Sequence, residues 1–371
     1  MTFKGVRFPK NKTNQREFIS ELKSRVNDYF TDNRISRYAN FSMIFKTIAM
    51  LSFYLVPFAV ILFGGIGAVW LHILLWCMMG VGMAGIGLSV MHDANHGTYS
   101  RKPWVNKWIG SSMYLLGGNP TSWRIQHNVL HHSFTNIEGL DEDISPVGLL
   151  RFSPHKPLLP IHKYQHWYAW PLYGLMTMMW VLTKDFKQVK RYGQLKLTQT
   201  QGKTYKSHLV DVIFSKVFYY LIILVLPIIL APIAWYWVIL GFVCMHFIGG
   251  FILTCVFQPA HVVPFTSFPL PDDKGSMENS FAIHELSTTS NFAPKNKWLS
   301  WFVGGLNYQI EHHLFPNVCH VHYAKISKIV KETAKEYDLP YYSLPSFRSA
   351  LAAHFTMLRQ LGDPRYAVQE I

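Results

Sequence analysis

Two long stretches of this chain carry no lysine, arginine, aspartate or glutamate: Thr47 through His92, and Val217 through Pro271. A bilayer-crossing helix needs roughly 20 mainly apolar residues, so each stretch holds two spans joined by a tight turn. The predicted spans are about 44–63, 68–90, 217–230 and 235–257. Gly64, Gly65 and Gly67 mark the first turn; Pro227 and Pro232 disturb the end of the third span. Gly80, Gly82, Ala84, Gly85 and Gly87 in the second span suit close approach of a neighbouring helix. Trp167 to Leu182 is also apolar, but it is short and carries Pro171, so it is read as interfacial rather than as a fifth span.

Outside these stretches the apolar period is helical. Phe18, Leu22, Val26 and Tyr29 are spaced three and four apart and predict an interfacial helix ahead of the first span. Val105–Leu116 is amphipathic, and two further amphipathic helices are predicted at about Tyr323–Glu336 and Ser346–Leu361. The organisation expected is a cytoplasmic or interfacial segment over 1–43, one membrane domain over 44–361, and a tail over 362–371.

Charge sets the orientation. The formal net charge is +14, yet all 35 Lys and Arg lie outside the two uncharged stretches, which reads as a topology signal and not as a nucleic-acid footprint. With two spans in each hairpin, the basic regions share one side, the cytoplasmic one, and both termini lie there. The polar N-terminus argues against a cleaved signal peptide. Four cysteines without metal or redox spacing point to reduced thiols.

Candidate chemistry sits at the ends of the spans. Seven of the 18 histidines fall in three groups: His92 and His96; His127, His131 and His132; and His312 and His313, with Gln309 three residues ahead. Positions i, i+3 and i+4 share a helix face, so each group presents its side chains together. Seven imidazoles are too many for one tetrahedral zinc and fit two metals with open positions, which suits oxygen chemistry at iron. His261, at the exit of the fourth span, is a further candidate ligand. Metal-bound histidines donate their second nitrogen to an acceptor, which makes Asp93, Glu311, Asp141 and Asp143 candidate partners. Trp123, Trp298 and Trp301 are near the groups and are candidates to line a substrate tunnel. The other histidines are expected to be packed inside spans (His72, His246) or solvated and interfacial (His155, His162, His166, His208, His284, His320, His322, His354).

His92-Asp-Ala-Asn-His96, His127-Asn-Val-Leu-His131-His132 and Gln309-Ile-Glu-His312-His313 resemble the three histidine boxes of the membrane fatty acid desaturases, with the likeness running from about residue 40 to 360. The glutamine of the third box resembles the front-end branch, which acts between an existing double bond and the carboxyl end, as delta-6 and delta-5 enzymes do. The resemblance implies an all-α integral membrane protein with four transmembrane helices in two hairpins. It also implies a cytoplasmic helical cap holding two non-haem iron ions, with O2 as co-substrate, an acyl tunnel, and His261 as a ligand. No HPGG haem motif of a fused cytochrome b5 is present, so the electron donor expected is a separate ferredoxin or cytochrome b5. Competing readings are a hydroxylase or ketolase with the same histidine set and a sphingolipid desaturase. A membrane metal carrier is disfavoured, because transport ligands belong near the bilayer midplane.

Overall fold

The computed structural model describes residues 5–9, 13–145 and 148–366, so the second half of the expected 362–371 tail lies outside the described residues. It divides into two compact units: residues 1–39, 126–169 and 256–371 form one, and residues 40–125 and 170–255 the other. Among the described residues four helices are long and apolar enough to cross a membrane: Phe41–Phe63, Val69–Asn95, Tyr205–Leu230 and Trp235–His261.

Within the second unit the first of these helices starts where Asn40 accepts a hydrogen bond from the Met43 amide, one of the donors a helix start leaves orphaned. It ends at Gly64, and Gly65 takes a left-handed φ of 62° in the turn that follows. The small residues of the next helix permit the close approach expected of them. A Cβ on Gly80 would stand 2.6 Å from the Met245 carbonyl, and one on Gly82 2.9 Å from the Tyr54 amide. A π-helical turn at Ile86–Val90 precedes the last helical turn, Met91–Asn95.

The third apolar helix begins twelve residues before its predicted start at 217, at Tyr205, where Thr204 caps it. Lys206, Asp211 and Lys216 had set the sequence boundary. Asp211 instead accepts hydrogen bonds from Tyr114 (2.8 Å), Asn119 (3.0 Å) and Lys203 (2.6 Å). Lys216 is similarly enclosed by Gly117, Trp180 and Asp185. Internal partners make these charges tolerable inside an apolar helix. The run Trp167–Leu182, read as interfacial, is interrupted by a turn at Leu175, after Gln165–Gly174 and before Met176–Met179, and it is not among the four helices long and apolar enough to cross.

The first unit has its own core. Helix Thr13–Asp32 buries Phe18, Leu22, Val26 and Phe30 together with Ile326, Val330 and Ala334 of Tyr323–Glu336 and Leu286 of Phe281–Thr288. Arg25 ties the outer faces together, at 2.7 Å from Glu21 and 2.6 Å from Glu336. The predicted interfacial helix is therefore a core helix, its apolar stripe covered by protein. A two-stranded parallel ladder pairs Asn291–Phe292 with Ser343–Leu344. The C-terminal helix Phe347–Leu361 starts at a Ser346 cap, close to its predicted range. Gly304 and Gly305 both have positive φ, 62° and 66°, in the turn that leads to the third histidine box.

Candidate metal centre

In the first unit three helical pieces deliver the histidines. His127 and His131 of the second box lie on a π-helical turn, Ile125–His131, with His132 directly after it, and the third box lies on the short helix Gln309–Leu314. His261 closes the long helix Trp235–His261. His127, His131, His132, His261, Gln309, His312 and His313 are all buried.

Their rings converge. His132 Nε2 stands 3.2 Å from His127 Nε2 and 2.9 Å from His312 Nε2. The centroids of His131, His261 and His313 form a near-equilateral triangle with sides of 4.8, 4.9 and 4.8 Å. Nitrogens each about 2.1 Å from a shared ion at right angles stand about 3 Å apart, the spacing seen around His132. One proton on His132 Nε2 can satisfy only one of its two nitrogen neighbours, whereas a cation among them satisfies all three. His261 Nε2 is buried and makes no hydrogen bond of ordinary geometry, although the Gln309 amide is close enough to interact with the ring. Ligand atoms of His131, His261 and His313, and of His132, His312 and His313, lie within 4.8 Å of one another in each trio. The donor set fits a metal that accepts imidazole.

The opposite ring nitrogens face outward to acceptors and hydroxyls. His131 Nδ1 is 3.1 Å from both oxygens of Asp141, which also accepts the Asn136 and Asp143 amides. His313 Nδ1 is 2.8 Å from Glu285. His312 Nδ1 meets the Tyr323 hydroxyl at 3.2 Å, and His261 Nδ1 the Thr288 carbonyl at 3.3 Å. Such contacts fix ring orientation and tautomer. Burial opposes a charge on His131, but Asp141 and Asp143 outweigh it and raise its pKa to about 9. Burial, with a smaller push from the Asp141 charge, outweighs Thr135 and His131 and holds Glu285 well above the usual carboxylate range.

In the second unit His92 and His96 face each other at 4.7 Å, with Trp123 edge-on at 5.5 and 5.8 Å. Asp93 Oδ1 is 3.6 Å from His92 Nδ1. Asn119 caps the helix that leads into the second box, its side chain accepting the amides of Thr121 and Ser122.

The fatty acid desaturase profile matches residues 68–345. The chain belongs to the fatty acid desaturase family. As a desaturase it is an oxidoreductase acting on acyl chains, and its four apolar helices mark it as a membrane protein. The family implies iron and O2, and the histidine clusters could hold metal. The desaturase is 33% identical to an sn-1 linoleoyl-lipid 6-desaturase of Arthrospira platensis over 93% of this chain and 92% of that one. It is 32% identical to the enzyme of the same name from Synechocystis sp., over 94% and 97%. An acyl-lipid (8-3)-desaturase of Physcomitrium patens is 35% identical over 93% of this chain and 72% of its own.

Several residues of the desaturase stand elsewhere than expected. Glu311 accepts from Asn291 (2.8 Å) and Tyr341 (3.0 Å), and burial raises its pKa to about 7; the acid against His313 is Glu285, which the sequence reading missed. No spacing rule points to it, because Glu285 sits on a helix with no histidine box. Trp298 is 86% exposed and cannot line an interior tunnel; Trp301 is half-buried and Trp123 buried. His162, His208, His284, His320, His322 and His354 are buried, against the solvated or interfacial expectation. His284 Nε2 meets the Thr135 carbonyl at 2.8 Å, and His354 Nδ1 the Val262 carbonyl at 2.8 Å.

Proposed function

We propose that this desaturase works at the front end of a lipid-linked acyl chain, forming a double bond at carbon 6 of a linoleoyl group. The convergence of imidazole nitrogens beside Gln309 carries this reading, because it combines a metal-binding set with the glutamine-type third box. The names of the Arthrospira and Synechocystis relatives support the acyl-lipid substrate and the position.

We assign two iron ions to His92, His96, His127, His131, His132, His261, His312 and His313, with Gln309 as a ninth contributor; His92 and His96 enter on their box in the sequence. Bound iron supplies the oxidising power that an unactivated methylene demands and that no side chain possesses. Two electrons from the substrate and two from a donor reduce O2 to two waters. Asp141 and Tyr323 hold ligand rings in orientation, and Asp93 and Asp143 stand close enough to assist. Trp123, beside His92 and His96, remains a candidate tunnel wall.

The donor is a separate ferredoxin or cytochrome b5, drawn by the positive charge of the cytoplasmic side. That side carries both termini and the iron ligands. Cysteines placed at the exposed positions Ser24, Lys297 and Lys325 will resist an impermeant label in intact cells; labelling from outside would reverse the orientation.

Expression in a host fed linoleic acid, followed by location of the new bond in each lipid class, tests the function. A triene with its new bond at carbon 6, first seen in glycerolipid, is expected. A product heavier by one oxygen would instead make this a hydroxylase, and a new bond on the methyl side would remove the front-end reading.

A further inference from the structure

Glu285 is fully buried on the helix Phe281–Thr288, outside every histidine box. Its Oε2 lies 2.8 Å from His313 Nδ1. The Thr135 hydroxyl stands 3.2 and 3.0 Å from the two carboxyl oxygens and 3.2 Å from the same His313 nitrogen. Thr135 is itself held, since its carbonyl meets His284 Nε2 at 2.8 Å and its hydroxyl lies 2.8 Å from the His131 carbonyl. Glu285, Thr135 and His313 therefore form a closed group with His131 at its edge.

An acid buried this deeply is costly to ionise unless positive charge stands near it. A neutral, purely structural Glu285 would need nothing beyond these hydrogen bonds. A metal held by His131, His261 and His313 changes the balance, because its charge lies one imidazole away from the carboxyl group. Resting on the iron assignment above, we propose that Glu285 is a positioning residue for that metal. As a carboxylate it accepts the Nδ1 proton of His313, leaves Nε2 as the metal-facing nitrogen and strengthens the ring as a donor. With Asp141 behind His131, two of the three ligands at this position are then backed by carboxylates.

Glu285→Gln separates the two roles, because glutamine keeps the shape and can still accept from Nδ1 but carries no charge. The full chain, purified in detergent and stripped of metal, is titrated anaerobically with Fe2+ alone. Wild type is expected to bind two ions. E285Q is expected to melt near wild type while its affinity for one of the two falls about 10- to 100-fold. Its iron midpoint potential should move upward, a change that a merely structural role would not produce. Thr135→Val should shift affinity in the same direction by less. E285Q binding both ions with wild-type affinity and potential would overturn the proposal. Should E285Q fail to fold, unchanged affinity in T135V would do the same. A wild-type chain that binds no iron would instead sink the iron assignment itself.

Discussion

In the unit built from residues 40–125 and 170–255, Lys216 Nζ donates to the Gly117 carbonyl (2.5 Å), the Trp180 carbonyl (2.8 Å) and Asp185 (2.5 Å), three acceptors for three protons. His246 is also closed: Nε2 meets the Tyr219 hydroxyl at 2.7 Å and Nδ1 the Thr177 hydroxyl at 3.0 Å. In the unit that holds residues 126–169 and 256–371, His127, His132 and His312 turn Nε2 on one another instead, while outer partners hold the far side of His131, His312 and His313. Both arrangements bury polar side chains among apolar ones. A network whose donors and acceptors balance is complete as folded and serves stability. One in which lone pairs converge is completed only by a cation.

The strongest test of this contrast removes a converging ring. His312→Ala is expected to reduce product to background and lower bound iron in a chain that still folds, measured by product analysis and metal content. Full activity would place His312 in the structural class. Lys216→Met should do the reverse. It leaves Asp185 buried without its counter-charge, at a cost of about 3–5 kcal/mol, and changing both residues to apolar ones should recover most of that loss. Thermal melting in detergent reads the stability, and the surviving folded K216M should carry wild-type iron per chain.

The contrast also runs inside the unit that holds the converging histidines. His354 is buried with Nδ1 against the Val262 carbonyl, and burial lowers its pKa from 6.5 to about 4. The unfolded chain then binds the proton more readily, so this contribution to stability is intact above pH 6.5 and is lost as pH falls through about 4. The loss amounts to about 3 kcal/mol. His354→Asn, which can still donate to the carbonyl, should flatten that acid limb in pH-dependent melting and leave iron content alone. The smallest effect is expected from Glu311→Gln, because Glu311 bonds to Asn291 and Tyr341 and not to a ligand ring. Iron binding by E311Q should stay within about twofold of wild type, against the larger fall predicted for E285Q.

What the sequence determined by itself was periodic or local. Uncharged stretches announced four membrane helices, and i, i+3 and i+4 spacing grouped the histidines; the boxes together carried the family. These features depend on neighbours within a few turns, which a linear pattern records. The tertiary structure alone decided which group stands behind which ring. His313 and Glu285 are joined by packing, and Glu311, two residues away from His313, turns to Asn291 and Tyr341. The third apolar helix starts at Tyr205 for a related reason: Asp211 and Lys216 find partners from distant segments, so charges that read as a boundary lie within the helix. Whether a buried polar group is tolerated, structural or poised for a metal depends on its complete set of partners, and those are chosen by the fold.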